Sequence, residues 1–144
     1  MEQTLTPLPS FKILQPKDCH WLGQTGNQQE LATGDILVQE GTPTAFIYIV
    51  LKGTFMVSIS QSQSEVEQEI ARCTVGEMLG EMSFMDDRPP SATIRATEPS
   101  QVLAIAKRSL KTKLTLDANF AARFYQELAI TLSVRLRSLS KLLA

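Results

Sequence analysis

The residues best suited to chemistry lie close together in one stretch, residues 76–96. Two glycines four residues apart open it, the second being Gly80, and glycine alone lacks the Cβ that hinders a tight bend or a close approach to a ligand. Glu81, Met82 and Ser83 then begin one or two turns of helix, whose first N–H groups are unpaired and suit an anion. The stretch therefore predicts one wall of a pocket for a small anionic ligand.

Two blocks of this stretch carry a resemblance to a known family. The blocks are Leu79-Gly80-Glu81-Met82-Ser83-Phe84 and Pro89-x-Ser91-Ala92-Thr93-Ile94. In this order they resemble the phosphate-binding cassette of cyclic-nucleotide-binding domains, which occur in the catabolite activator protein family, in regulatory subunits of the cyclic-AMP-dependent kinase and in gated ion channels. The similarity extends over roughly residues 11–143 and includes upstream turn and strand residues, among them Gly34-Asp35, Glu40-Gly41, Tyr48-Ile49-Val50 and Gly53.

The resemblance implies a regulatory domain that senses cyclic AMP, cyclic GMP or another small anionic ligand. Gly80 would allow close backbone approach, and Glu81 would accept a hydrogen bond from the ribose 2′-hydroxyl. The Ser91 hydroxyl and the Ala92 N–H would hold the phosphate. On the C-terminal helix, Ser138 or Ser140 would reach the base.

The sequence departs from the family pattern at Pro90, where the family has an arginine that clamps the cyclic phosphate. Arg88 lies two residues earlier, about 6–7 Å away along an extended segment, and is the candidate replacement. A charge-assisted contact of this kind contributes ~1.5–3 kcal/mol, or roughly one to two decades in affinity. Two functions stay open: a nucleotide sensor with weakened or altered specificity, and a degenerate fold that serves as a dimerisation or protein-docking module.

The elements that must position this stretch are predicted to be strands. Alternating apolar residues across 54–60 have the period of a half-buried strand, and turn residues separate similar short runs. Strands are predicted at 30–32, 36–39, 45–51, 54–60, 68–74, 93–97 and 101–106, with a hairpin loop at 61–69. We therefore expect a mainly β fold with helices, an antiparallel β-roll of the double-stranded β-helix or jelly-roll type, over about residues 28–106.

Helical patterns flank the predicted roll. Residues 1–10 are expected to be a loose lead-in to one domain of residues 11–144, which opens with a short helical segment interrupted at Pro16 and followed by a turn region at 23–29. A short helix is predicted at 108–114, and Asp117 can cap a long helix from Ala118 to about residue 143. A stripe recurs along that helix at intervals of three and four, and its second half predicts a homodimer seam. The stripe comprises Phe120, Phe124, Leu128, Leu132, Leu136, Leu139 and Leu143.

Composition excludes several function classes. The net charge is −1, with 14 Lys+Arg against 15 Asp+Glu, so nothing draws the chain as a whole to nucleic acid or membrane. No run approaches the ~18 apolar residues of a membrane span, and no recognition helix follows the long helix, so we expect no direct DNA binding. His20 is the only histidine, which favours a non-enzyme. Cys19 and Cys73 lack the spacing of a disulfide or metal site, which favours a cytoplasmic protein.

Overall fold

The computed structural model describes residues 11–60 and 66–143. The predicted lead-in, 1–10, and residues 61–65 of the predicted hairpin loop lie outside the described residues. The elements in chain order are α1 (Pro16–Thr25), β1 (Asn27–Leu31), β2 (Ile36–Val38), β3 (Phe46–Lys52), β4 (Phe55–Ser60), β5 (Glu67–Cys73), β6 (Met78–Leu79), α2 (Glu81–Asp86), β7 (Thr93–Ala96), β8 (Ser100–Ala106), α3 (Lys107–Leu116) and α4 (Ala118–Leu143). The chain divides into two compact units, Gly26–Lys107 and Met1–Thr25 with Arg108–Ala144.

The first unit is a roll of two antiparallel sheets. One sheet has the strand order β1-β8-β3-β6 and the other the order β2-β7-β4-β5, so neighbouring strands in space are mostly distant in sequence. Side chains that alternate along the strands point into a shared core, as Phe55 on β4 and Ile94 and Ala96 on β7 do. The predicted antiparallel β architecture is confirmed, and α2 connects the two sheets between β6 and β7.

Two details of the roll differ from the sequence prediction. The predicted turn region at 23–29 is wrong, because α1 continues to Thr25 and β1 already begins at Asn27. The first four residues of β1 are polar and exposed, so the strand lacks the alternation that reveals a half-buried strand. The two-residue strand β6, which pairs with β3 through Tyr48 and Ile49, was also not predicted because it is shorter than any periodic signal.

The second unit consists of α1, α3 and α4. Pro16 begins α1 and does not interrupt it, because the first helical position needs no N–H partner and suits the fixed φ of proline. Asp18 accepts a hydrogen bond from the Gln15 N–H at 2.8 Å at this helix start. The predicted cap of the long helix is confirmed, since the Phe120 N–H donates to the Asp117 carboxylate at 3.0 Å.

The apolar stripe of α4 is buried over only part of its length. Phe120, Phe124 and Leu128 are at most 1% exposed, whereas Leu136 is 65% exposed. The off-stripe Val134 is exposed as well. The first half of the stripe is therefore a core face. The second half, which predicts a homodimer seam, is only partly covered, since Leu132 and Leu139 are half-buried and Leu136 is exposed. Among the described residues, no helix is both long enough and apolar enough to cross a membrane.

Two buried carboxylates fasten the N-terminal segment to α4 within the second unit. Glu127, fully buried, accepts hydrogen bonds from the backbone N–H groups of Lys12, Ile13 and Leu14 at 3.1, 2.8 and 3.0 Å. Asp18 receives two parallel bonds from the Arg123 guanidinium, at 2.7 and 2.8 Å. Charged acceptors of this kind make stronger hydrogen bonds than neutral ones, so the segment from residue 12 to α1 is held firmly.

Candidate functional site

The turn between β6 and α2 depends on a glycine. Gly80 has φ 83°, in the left-handed region that side chains with a Cβ rarely adopt. A Cβ at Gly80 would lie 3.3 Å from the Phe46 carbonyl oxygen and 4.0 Å from the Tyr48 ring. The predicted close bend is confirmed, and it leads directly into the first turn of α2.

The first turn of α2 places its side chains on opposite sides of the backbone. The side chains of Glu81 and Ser83 are buried, and within the described part of the chain the Ser83 hydroxyl has no hydrogen-bond partner. Met82 is 54% exposed, so it can contribute to a ligand on the buried side only through its backbone. The first backbone hydrogen bond of α2 runs from the Phe84 N–H to the Gly80 carbonyl at 3.3 Å. The N–H groups before Phe84 therefore have no acceptor within the helix itself.

Helix α2 ends at Asp86 and is capped by Asp87, whose φ of 56° is left-handed and whose N–H donates to the Ser83 carbonyl at 3.0 Å. Arg88 follows in an exposed loop, with its own N–H bonded to an Asp86 carboxylate oxygen at 3.0 Å. In residues 11–60 and 66–143 nothing pairs with the Arg88 guanidinium. The side chain is thus available to a ligand, and its role as the replacement clamp stays a prediction.

The second block of the stretch is tied to the turn after β2. Pro90 is half-buried, and its carbonyl accepts the Gly41 N–H at 2.9 Å. The buried Thr93 hydroxyl oxygen accepts the Glu40 N–H at 3.1 Å and the Gln39 side-chain amide at 3.3 Å. These bonds fix the backbone on both sides of residues 91 and 92.

Between these anchors, Ser91 is exposed and Ala92 is half-buried. The Ser91 hydroxyl has no partner among the residues that the structure describes, so it is free to bind a ligand oxygen. In the other unit, Ser138 and Ser140 donate to the carbonyls of Val134 and Leu136 at 3.1 and 3.0 Å, as serines in helices often do. Their predicted contact with a base stays a prediction.

Tyr48 is a neighbour of this stretch that the sequence prediction used only as a strand residue. It faces the core of the roll, is 5% exposed and pairs with Leu79 across β3 and β6. Its ring edge is the closest side-chain atom to the Cβ position of Gly80. The only sequence signal that Tyr48 could contact a ligand was its hydroxyl group, carried by a strand residue that faces the core.

Two side chains that could serve catalysis, those of Cys19 and His20, are neighbours on α1. Burial raises the pKa of the Cys19 thiol, and the negative charges of Asp18 and Glu127 raise it further, so the thiol stays protonated and weakly nucleophilic. His20 is exposed on the same helix. No group of three or more His, Cys, Asp or Glu that could hold a metal ion occurs among the described side chains.

Comparisons with known proteins converge on one family. The sequence profile described as "Cyclic nucleotide-binding domain" matches residues 28–116. A cAMP-dependent protein kinase regulatory subunit of Hypocrea atroviridis is 23% identical over 78% of this chain and 23% of its own length. A cGMP-dependent protein kinase of Eimeria tenella is 30% identical over 73% of this chain and 10% of its own length.

A solved structure with a similar fold is described by the same domain name. The crystal structure of a cyclic nucleotide-binding domain from Methylobacillus flagellatus KT superposes with a TM-score of 0.83 at 23% identity, covering 92% of this chain and 75% of that one. At this identity the likeness shows the fold alone. The chain spans about a quarter of the length of the kinase regulatory subunits that it matches.

Proposed function

Since the chain belongs to the cyclic nucleotide-binding domain family, we propose that it is a regulatory sensor that binds cyclic AMP or cyclic GMP against residues 80–92. The observation that carries this proposal is the left-handed Gly80 directly before the buried Glu81. A backbone that bends without a Cβ lets a ligand approach closely, and the adjacent carboxylate is shielded from solvent. Both features suit a ribose held next to an anionic phosphate.

The proposed contacts follow the two blocks of the stretch. Glu81 accepts a hydrogen bond from the ribose 2′-hydroxyl, while the Ser91 hydroxyl and the Ala92 N–H hold the phosphate. Two observations support this assignment: the Ser91 hydroxyl has no partner in the described part of the chain, and hydrogen bonds hold the segment at Pro90 and Thr93. Met82 and Ser83 contribute first-turn N–H groups.

The missing arginine at Pro90 weakens the phosphate contact. If Arg88 supplies the counter-charge only in part, a micromolar site becomes one of tens to hundreds of micromolar, at ~1.4 kcal/mol for each decade. The Arg88 guanidinium is exposed and has no partner within residues 11–60 and 66–143, which supports its role as the relocated clamp. Another small anionic ligand is the second ligand class for this site.

Isothermal titration with cyclic AMP and cyclic GMP at millimolar ligand tests the proposal, with 2′-deoxy cyclic AMP as the analogue that cannot bond to Glu81. We expect binding that the 2′-deoxy change weakens. Arg88→Ala should weaken binding by about tenfold, and Arg72→Ala, an exposed arginine paired with Glu69 on β5, is the matched control. Absence of heat and of a thermal shift with both nucleotides would overturn the proposal.

One observation favours a second function, that of a docking module without nucleotide. Pro90 is half-buried and its carbonyl is bonded to Gly41, so it has a structural role where the family has a ligand contact. The titration separates the two functions, because a docking module gives no heat with either nucleotide yet keeps its partner surface.

Neither function needs catalysis or direct DNA contact. The two free cysteines are both buried, which suits the reducing cytoplasm.

The exposed half of α4 supports a homodimer. Ala129, Leu132, Leu136 and Leu139 recur at alternating intervals of three and four residues, the spacing of a two-helix seam. Light scattering over a concentration series should give a dimer mass, and Leu136→Lys should convert it to a monomer because a charge would enter an apolar seam. A parent chain that stays monomeric at high concentration would contradict the dimer.

A further inference from the structure

The tyrosine beside Gly80 has a polar group that the protein itself does not use. Tyr48 is nine-tenths buried in the roll core, and none of the described residues forms a hydrogen bond with its hydroxyl. A buried hydroxyl is costly only when it is cut off from both protein partners and water. With no partner among the described residues, the Tyr48 hydroxyl contributes nothing to the core that a phenylalanine in the same place would lack.

The Tyr48 hydroxyl also reaches open space. No fully enclosed side-chain oxygen or nitrogen in the described parts of the chain lacks a hydrogen bond, so an unpaired hydroxyl must touch space that solvent can enter. The ring of Tyr48 lies 4.0 Å from the Cβ position of Gly80, at the bend that precedes Glu81. The Tyr48 side chain, which belongs to the core cluster of the roll, therefore borders the bend of the proposed site.

We infer that Tyr48 is a ligand-contacting residue whose hydroxyl hydrogen-bonds to a polar oxygen of the sugar-phosphate part of the bound nucleotide. The inference rests on the proposed nucleotide binding and adds a neutral group to a site that lacks the usual arginine. A phenol can both donate and accept, so it can pair with a phosphate oxygen or a ribose hydroxyl. The ring itself completes the apolar wall behind the bend.

The test uses the only two tyrosines of the chain. Tyr48→Phe removes the hydroxyl and keeps the ring, and Tyr125→Phe makes the same change at an exposed position of α4, 45% exposed. Titration with cyclic AMP and cyclic GMP should show affinity about 5- to 20-fold weaker for Tyr48→Phe. Tyr125→Phe should bind as the parent does.

A second measurement separates a ligand contact from a structural hydroxyl. Without ligand, Tyr48→Phe should unfold within about 2 °C of the parent, because no internal hydrogen bond is lost. A fall of several degrees would mean that the hydroxyl stabilises the fold, and it would overturn the inference. With 3-fluorotyrosine incorporated, the fluorine resonance that Tyr48→Phe removes should shift on adding nucleotide, and the resonance of Tyr125 should not.

The outcomes distinguish this inference from the function on which it rests. A parent that binds nucleotide, with Tyr48→Phe binding equally well, overturns the role of Tyr48 alone and indicates a hydroxyl that only reaches water. A parent that binds neither nucleotide overturns the proposed function and this inference together. Weaker binding by Tyr48→Phe with unchanged thermal stability supports both.

Discussion

The two halves of helix α4 have similar apolar periodicity and opposite surroundings. In the first half, Phe120, Phe124 and Leu128 are buried, and Arg123 and Glu127 bind the segment that contains Asp18 and residues 12–14. In the second half, Leu136 and Val134 are exposed. Periodicity alone therefore identifies an apolar face but does not tell whether the chain covers it. Among the described residues, the buried carboxylates of Asp18 and Glu127 both lie at the covered half.

The largest expected difference between the two halves comes from the same substitution made in each. Leu128→Ala should lower the free energy of unfolding by about 2–5 kcal/mol, because it opens a cavity in a packed face. Leu136→Ala should change it by less than about 0.5 kcal/mol, since that side chain is mostly in solvent. Urea unfolding at a protein concentration low enough to keep the chain monomeric measures both. Equal losses would contradict the division of the helix.

A smaller loss is expected at Glu127. Glu127→Gln keeps one acceptor oxygen but turns an N–H donor toward the backbone N–H groups of residues 12–14, so one of them loses its partner. We expect a loss of about 1–3 kcal/mol in the free energy of unfolding. Gln126→Ala, at an exposed neighbouring position, is the control and should change little. Amide hydrogen exchange should also become faster at residues 12–14 in Glu127→Gln, and unchanged exchange would contradict the assigned contact.

The smallest effect is expected from acid acting on Asp18. Burial alone would raise the pKa of Asp18, but the hydrogen bonds from Arg123 and the Gln15 N–H lower it below its usual value near 3.8. The folded-state pKa is therefore below the unfolded one, so the stabilisation is fully present above pH 3.8 and is lost as the pH falls through the lower value. Asp18→Asn should make urea unfolding less sensitive to pH between about pH 5 and pH 2. The same pH slope in both proteins would show that Asp18 is not the titrating group.

Local chemistry made part of the fold predictable. Alternation along β4, glycine at the bend of Gly80 and the short acceptor Asp117 before α4 each have a physical cause within a few residues, and the structure has the strand, the bend and the cap. The start of β1 was predicted three residues too late, at residue 30 instead of Asn27, because its first four residues are polar and exposed. The predicted interruption at Pro16 was wrong because proline disrupts a helix only from an interior position. Pro16 lies at the first position of α1, which suits proline.

Contacts distant in sequence account for what could not be predicted. The burial of Glu127 depends on backbone N–H groups more than a hundred positions away, and nothing near it in the sequence indicates them. The burial of Tyr48 without a hydrogen bond from any described residue to its hydroxyl is likewise visible only once the core around it is known. In the candidate site, the order of residues 79–94 identified the segment, whereas the exposure of Met82 and the tether of Pro90 to Gly41 needed coordinates.

The contact of Glu127 with residues 12–14 also limits how the protein can be shortened. A version that starts after Leu14 would leave a carboxylate in the interior of the helical unit without its three amide donors. Such a chain should be cleaved readily by added protease in the first half of α4, although every residue of that helix is retained. Affinity tags are therefore best placed ahead of Phe11, and the N-terminal boundary of any minimal fragment is set by a side chain near the opposite end of the chain.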